Sequence, residues 1–244
     1  QYIIYLGNFL RGDFGVSYTK AGLTVNKVIA DGFPFSLTIG IYASLVVVFA
    51  GILFGSVCAL RQNKLIDRFF MVLSTLGSTI PSFVLATGFL FLFSKTLGLV
   101  PAFGVDEVAG YIGPVLVIGA FPLSFITRLT RTSLVEVQQQ DYIRTARSKG
   151  ISEFKVIYKH ALRNALLPVV TYIGPMVASI VTGSFVIETV FGIPGVGQLF
   201  TDSIVNRDYP LIMGITVFFA VLLVLAVLIV DLVYVLIDPR IKLD

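Results

Sequence analysis

The residue types that carry out most enzymatic chemistry are scarce in this sequence. Among its 244 residues, His160 is the only histidine and Cys58 the only cysteine. One histidine is too few for a His-pair metal site, and it disfavours a Ser/His/Asp triad. Gly-x4-Gly-Lys-Ser/Thr, the string that cradles nucleotide phosphates, does not occur. The sequence therefore predicts a non-catalytic chain without a cofactor or metal of its own, in which Cys58 packs and His160 docks or caps a helix.

Two acidic residues and one glycine-rich stretch remain as candidates. Glu188 and Asp231 lie closest to long apolar segments, and an ionisable residue at membrane depth is a functional-site hypothesis by default. Both stand near segment ends, so we predict an interfacial, hydrogen-bonded role and assign neither to transport. The glycines between Gly192 and Gly197 have the wrong spacing for a dinucleotide fingerprint. They are predicted to shape a turn before a short helix around 198–205.

The elements that must position these residues are apolar. Hydrophobic residues make up 56% of the chain, charged residues only 13%, and the mean hydropathy is +0.93, whereas soluble domains carry roughly 25% charged residues. A membrane-crossing helix needs about 20 mostly apolar residues. Five windows meet that requirement. The sequence therefore predicts an all-α polytopic membrane helix bundle with five transmembrane helices, at 35–60, 69–94, 108–127, 164–187 and 211–230.

The distribution of Lys and Arg predicts the orientation of these helices. Thirteen of the 18 Lys and Arg residues fall in 61–68, in 128–163 and in the C-terminal tail, and such residues concentrate in cytoplasmic loops. The C-terminus is therefore expected in the cytoplasm. Because the chain then begins outside with Gln1, a first helix upstream is expected to be missing.

The same reasoning sets the expected domain boundaries. Residues 1–34 are an extracytoplasmic segment, in which 22–32 forms a short interfacial helix. The transmembrane domain covers 35–244 and carries a cytoplasmic coupling loop at 133–163 and an outer loop at 188–210.

The segment 136–168 is polar, basic and helical in pattern, although it lies between two apolar segments. Asp141 is predicted to cap a helix over 142–149, Gly150 to end that helix, and Ser152 to cap a second one. Apolar residues of the second helix recur at helical spacing and predict one stripe, made of Phe154, Ile157, Tyr158, Ala161, Leu162 and Ala165. A basic row on another face consists of Lys155, Lys159 and Arg163. We call residues 139–165 the elbow.

Three interpretations of the elbow are compatible with its composition. It is a solvated loop with snorkelling cations, a basic helix lying flat on anionic lipid, or a docking surface for a protein. The small residues Thr145, Ala146 and Ser148 beside Gly150 favour the third interpretation, because they permit close approach by another surface.

The residues of the elbow resemble a known family. Arg144 to Gly150 reads Arg-Thr-Ala-Arg-Ser-Lys-Gly, and His160 to Pro168 follows it. This arrangement is similar to the coupling loop of binding-protein-dependent ABC importer permeases, in the dipeptide/oligopeptide/nickel branch. The general pattern has a glutamate where Arg144 stands, and this departure fits the peptide branch. Further similar stretches are 10–17, 188–199 and 207–210, and the ending 238–241 resembles that of the B-type subunit.

The resemblance implies a function and a set of partners. The chain would be a permease subunit of an ATP-driven importer of dipeptides or oligopeptides in the prokaryotic cell membrane. It would work in the lipid bilayer with a second homologous permease, two ABC ATPase subunits that bind ATP and Mg, and an extracytoplasmic peptide-binding protein. No nucleic acid is expected as a partner.

The resemblance also implies a site for coupling to the ATPases. Its residues are Arg144, Thr145, Ala146, Arg147, Ser148, Lys149, Gly150, Ile151, Ser152 and Glu153. The sequence does not identify the substrate path. Polar residues of the apolar segments either line the path or form hydrogen bonds between helices, as for Ser78, Thr79, Ser82 and Ser124.

Alternatives to peptide import remain open from the sequence. The cargo could be a nickel chelate or glutathione within the same family. An ATP-independent secondary transporter would predict an inverted repeat or several buried charges near mid-membrane, and a membrane scaffold would fit the composition but not the motifs.

Overall fold

The fold is a bundle of helices, as the composition predicts. The computed structural model describes the backbone of residues 2–237 and the side chains of residues 5–230 and 232. The helices of the first half are α1 (Tyr2–Leu10), α2 (Val25–Leu60), α3 (Leu65–Thr79), α4 (Ser82–Phe89) and α5 (Ile112–Gln138). Those of the second half are α6 (Asp141–Ser148), α7 (Glu153–Lys155), α8 (Leu162–Ala165), α9 (Leu167–Val181), α10 (Phe185–Phe191), α11 (Val196–Val205) and α12 (Tyr209–Ile237).

Three short irregular helices complete this series. A π-helical segment over Leu90–Thr96 continues α4, a second one over Val156–Ala161 joins α7 to α8, and a 3₁₀ turn over Val108–Tyr111 leads into α5.

Three segments are single helices that are long and apolar enough to cross a membrane: Val25–Leu60, Val108–Gln138 and Tyr209–Val230. The predicted spans 69–94 and 164–187 do not correspond to single straight helices. Each overlaps a bent pair of helices, with a bend of 110° between Leu65–Thr79 and Ser82–Thr96 and of 51° between Glu153–Ala165 and Leu167–Val181. Up to five crossings result if each pair counts as one.

Proline explains where both pairs bend. Pro81 directly precedes α4, and Pro168 lies at the start of α9. Proline lacks the N–H that a helix interior needs and disfavours helical backbone in the residue before it. The bends therefore follow from backbone chemistry that apolar windows do not report.

Several predicted boundaries also shift. Residues 22–32 form no separate interfacial helix, because Thr24 caps α2 by accepting a hydrogen bond from the Lys27 N–H, and α2 continues from Val25 to Leu60 with Pro34 inside it. The coupling loop does not begin at residue 133, because α5 extends to Gln138. The fourth apolar segment ends at Val181 instead of 187, and the next helix is α10.

Buried hydrophobic residues form three clusters along the bundle. The middle core includes Ile39, Val47, Ile126, Met176 and Ile187. The elbow cluster consists of Ala59, Leu134, Ile143, Ala146, Val156, Ala161 and Ala165. The opposite-end cluster consists of Val25, Val28, Ile29, Val196, Leu211 and Ile215. Because α2 contributes to all three clusters, it runs the full length of the bundle.

The bent pair α3–α4 runs between the elbow end and the middle core. Near its start, Asp67 forms an ion pair with Arg131, close to the elbow cluster on α5. After its end, the Gly104 N–H donates a 2.9 Å hydrogen bond to the Phe191 carbonyl, shortly before α11. The chain therefore passes from the elbow end to the middle core in spite of the 110° bend.

Helices α2 and α5 approach each other at two glycines. A Cβ atom at Gly51 would lie 2.6 Å from Ile126 Cγ2, and one at Gly55 would lie 2.5 Å from the Thr127 carbonyl oxygen. Small residues at this spacing let helix backbones pack closely in membranes. Cys58, one turn further along α2, is fully buried. The predicted packing role of Cys58 is confirmed.

We predict that Gly55→Ala destabilises the bundle by about 1–3 kcal/mol, because the added methyl group meets a backbone carbonyl that cannot turn aside. The matched control is Gly88→Ala on α4, where a Cβ atom would have no neighbour within 4 Å. That variant should be neutral or gain up to about 1 kcal/mol from lower chain entropy. Thermal unfolding in detergent measures both changes, and equal midpoints would contradict the packing role of Gly55.

Candidate functional sites

The corner of the elbow is built by Gly150. Its φ of +73° lies in the left-handed region, the Ile151 N–H donates to the Ala146 carbonyl at 3.3 Å, and the Gly150 N–H donates to the Arg147 carbonyl at 2.9 Å. These two bonds are the pair that ends a helix in a Schellman motif. The predicted stop at Gly150 is confirmed. Asp141 is not the N-cap, however, because α6 is capped at Gln140 and Asp141 is its first helical residue.

The elbow has one buried face and one exposed face. On α6, Ile143 and Ala146 are buried in the elbow cluster, against Leu134 of α5. Of the ten predicted coupling residues, Ile151 is half-buried, Ala146 is buried and the other eight are exposed. The expectation that Ala146 offers a close approach to another protein was therefore wrong, whereas Thr145 and Ser148 remain accessible.

An ion pair crosses the corner of the elbow. Arg147 Nη2 and Nε donate to the Glu153 carboxylate at 2.7 and 3.2 Å. These hydrogen bonds lower the pKa of Glu153 below its usual value. An exposed pair is worth only about 0–1 kcal/mol, so its effect is to orient α6 relative to α7. Sequence reasoning missed this pair, although opposite charges on either side of a helix-ending glycine are a signal for it.

The predicted apolar stripe of the second helix divides into two faces. Ala161 and Ala165 are buried as predicted, but Phe154 and Tyr158 are 69% and 55% exposed and pack against each other with ring centroids 4.4 Å apart. Val156, outside the predicted stripe, is fully buried. The reason is the π-helical segment, whose wider turn shifts the faces away from the 3.6-residue period. Ser152 occupies the N-cap position as predicted, without a capping bond from its hydroxyl in the described structure.

Glu188 is buried at the opposite end of the bundle. Its Oε2 accepts hydrogen bonds from the N–H groups of Gly197 at 2.8 Å and Gln198 at 3.3 Å, in the first turn of α11. A carboxylate is favourable there, because helix N-termini carry partial positive charge. The hydrogen-bonded role predicted for Glu188 is confirmed. The side chain of Asp231, predicted alongside it, lies outside the described residues.

The glycines before α11 permit the approach of Glu188. A Cβ atom at Gly197 would lie 2.9 Å from Glu188 Oε2, and one at Gly195 would collide with the same oxygen. Gly192 ends α10 in the left-handed region, with φ of +61°. The predicted turn and short helix are confirmed, although α11 begins at Val196, two residues before 198.

Asp208 is a second buried acid at this end of the bundle, and sequence reasoning missed it. It accepts hydrogen bonds from the hydroxyls of Ser17 and Thr19 and from the N–H of Tyr18, and its Oδ1 accepts from the Leu211 N–H at the start of α12. Burial by itself raises the pKa of Asp208, but these bonds outweigh burial and lower the pKa to about 2. Asp followed by Tyr-Pro at the start of an apolar run was the available signal, because Asp is a preferred N-cap and Pro suits a first turn.

A cavity of about 670 Å³ lies at the break between α3 and α4. It is bordered by residues of α5 and α9 and by the start of α10. Of the four polar residues considered from the sequence, Ser78, Thr79 and Ser82 line this cavity. Ser124 is buried and donates a 2.7 Å hydrogen bond to the Ala120 carbonyl of its own helix.

The described residues contain no group of three or more His, Cys, Asp or Glu side chains placed to hold a metal ion. Arg240, Lys242 and the ending 238–241, which entered the orientation and resemblance arguments, lie outside the described residues.

The fold is that of an ABC transporter membrane domain. Two solved structures share it, both at 16% sequence identity and over 84% of this chain. One, covered to 94%, is the inward-facing MetNI methionine ABC transporter, with a TM-score of 0.69. The other, covered to 92%, is an amino acid ABC transporter with histidines, with a TM-score of 0.65.

Residues 51–243 match the family model "Binding-protein-dependent transport system inner membrane component", and the chain belongs to this family. It is 49% identical over 243 residues to the dipeptide transport system permease protein DppB of Bacillus subtilis (strain 168), covering all of this chain and 79% of that protein. It is 43% identical to the oligopeptide transport system permease protein OppB of Haemophilus influenzae, covering 99% of this chain and 80% of that protein. The family resemblance of the sequence motifs is confirmed.

We predict that Asp208→Asn lowers the free energy of unfolding by about 2 kcal/mol, the amount that corresponds to the lowered pKa. Because the pKa is depressed in the folded protein, this stabilisation is present above about pH 4 and is lost as the pH falls through about 2. Thermal unfolding at neutral pH measures the change. The control is Asp202→Asn, at an exposed position of α11, which should shift stability by less than about 0.5 kcal/mol. Equal effects would contradict the capping role of Asp208.

Proposed function

We propose that this chain is the permease subunit of an ATP-driven, binding-protein-dependent importer of dipeptides or oligopeptides. The observation that carries the cargo assignment is the 49% identity with a dipeptide permease across the whole chain. Within this family, the alternatives of a nickel chelate or glutathione have no observation in their favour. The alternative of an ATP-independent transporter is not favoured either, because the chain belongs to a binding-protein-dependent family.

The elbow is the surface that receives motion from the ATPases. Its outer face is exposed and polar over Arg144, Thr145, Arg147, Ser148 and Lys149. Its inner face packs on α5 through Ile143 and Ala146, and its second helix leads directly into α9. A displacement of the outer face therefore moves two membrane helices together.

The orientation of the chain follows from this role. The elbow lies in the cytoplasm, as the excess of Lys and Arg near it supports, and the C-terminus lies on the same side. The opposite end, with Glu188 and Asp208, faces the exterior and the peptide-binding protein. A second homologous permease completes the membrane domain, and two ABC ATPases bind ATP and Mg.

ATP drives transport by changing which arrangement of the bundle is favoured. A partner shifts only those states that it binds differently. Closure of the ATPase pair on ATP displaces the elbow, and α5 and α9 then shift the path between inward-facing and outward-facing states. The ATPases supply the energy, and this chain converts it into access to the path.

We predict that Gly150→Val weakens ATPase docking about tenfold, because a β-branched residue in left-handed backbone costs roughly 1–2 kcal/mol or more. Peptide uptake should fall with it, while membrane insertion remains intact. Gly150→Asn is the matched control, because asparagine tolerates this conformation. Neither substitution causes a steric clash with a neighbouring residue, since a Cβ atom at Gly150 would have no neighbour within 4 Å.

The measurements use the complete importer in proteoliposomes. Uptake of radiolabelled dialanine reports transport, and co-purification of the ATPase subunits reports docking. Normal uptake and docking of the Gly150→Val variant would contradict the assignment of the elbow. Absence of peptide uptake by the wild-type importer, with a nickel chelate or glutathione taken up instead, would overturn the cargo assignment.

A further inference from the structure

The break between α3 and α4 cannot face lipid. Helix ends leave their last carbonyls and first N–H groups outside the helical ladder, and α4 begins after Pro81, whose ring has no N–H. Among the described residues, no side chain caps this end of α4. Hydrocarbon offers no partner for such backbone groups. The face that carries Thr79 to Ser82 must therefore lie against water or protein.

The outer face of α2 has the opposite character. Ile41, Leu45, Phe49 and Leu53 are exposed there and purely apolar, which suits contact with lipid. The bundle thus has one face compatible with hydrocarbon and another that requires a polar environment, and the 670 Å³ cavity lies on the second.

The lining of the cavity is mostly apolar, carries several hydroxyl groups and has no charged side chain among the described residues. Among the described residues that border it, none is Asp, Glu, Lys, Arg or His. Its polar side chains are hydroxyls, those of Ser78, Thr79, Ser82, Tyr172, Ser179 and Ser184. Apolar residues such as Phe121 and Met176 supply the remaining surface. Its volume lies within the range of about 300–1,000 Å³ that is typical of small-molecule sites.

We propose that this cavity is an uncharged section of the peptide path, which contacts the peptide through hydroxyls and main-chain groups and does not select peptides by side-chain charge. The inference rests on the proposed peptide cargo and adds where the path runs and what it recognises. A hydroxyl both donates and accepts, so it pairs with peptide N–H, C=O, ammonium or carboxylate groups. A fixed charge beside the path would favour one sign of peptide over the other.

Ser179 is the position that tests the absence of charge. Its residue is exposed on α9 beside the cavity, and its carbonyl, which a substitution leaves in place, accepts a 2.7 Å hydrogen bond from Thr182. Ser179→Asp introduces a negative charge, and Ser179→Asn is nearly isosteric with it but neutral. The comparison between the two variants isolates charge from size.

The experiment compares uptake of Ala-Glu and Ala-Lys by the complete importer in proteoliposomes, with the binding protein saturated by each peptide. The wild type and Ser179→Asn should show the same ratio of the two rates. In Ser179→Asp the ratio of Ala-Glu to Ala-Lys uptake should fall on the order of tenfold. An equal ratio in the Asp and Asn variants would overturn this inference while leaving the proposed function intact. If the wild type imports neither peptide nor dialanine, the proposed function fails, and this inference fails with it.

A second measurement tests the inference even if the Ser179→Asp variant fails to assemble. Ser82→Cys and Ser179→Cys, introduced singly, should react with a water-soluble thiol reagent supplied on both sides of the membrane. Leu45→Cys, on the outer face of α2, should react at least about tenfold more slowly. The reason is that a thiol reacts as its hydrated thiolate. Cys58 is fully buried and serves as the unreactive background. Equal reaction at all three positions, or no reaction at Ser82 and Ser179, would contradict a water-lined path here.

Discussion

The close contact between α2 and α5 is the constraint on which the rest of the molecule depends. It requires glycine at positions 51 and 55 of α2, because even one added carbon would meet α5. Helix α5 in turn connects the elbow end, through Arg131 and Leu134, with the middle core, where Gly113 packs against Phe191. The elbow is thus attached to a helix that is itself locked into the middle of the bundle.

Among the described residues, the three buried acids lie toward the two ends of the bundle. At the elbow end, Asp67 is paired with Arg131 by two hydrogen bonds of 2.6 and 2.7 Å and also accepts the Asn63 N–H. At the opposite end, Glu188 and Asp208 are held by helix N-termini and nearby hydroxyls. A buried charge is tolerated only when it is paired or hydrogen-bonded, and all three acids meet this condition. The cavity between the ends carries hydroxyls instead, which cost far less to desolvate.

Local signals in the sequence predicted local structure well. Each of the three membrane-length single helices in the described residues overlaps a predicted apolar window, because hydropathy and the 1.5 Å rise per helical residue are properties of consecutive residues. Gly150 and the glycines from 192 to 197 predicted their turns for the same reason. The predictions failed where a local pattern was overridden, as at Phe154 and Tyr158, whose side chains a π-helical segment turns outward. A 3.6-residue period contains no warning of such a segment.

The sequence alone therefore determined that the chain lies in a membrane, that a polar elbow interrupts its apolar segments, and that its motifs are those of an importer permease. Tertiary structure alone decided how distant residues combine. Ser17 reaches Asp208 across 191 positions, and Asp67 reaches Arg131 across 64. It also brought α5, α9 and the start of α10 beside the break between α3 and α4, and so formed the cavity. The physical reason is that helix formation and desolvation act over a few consecutive residues, whereas buried charges and close-packed glycines are satisfied only by whichever side chains the folded bundle brings beside them.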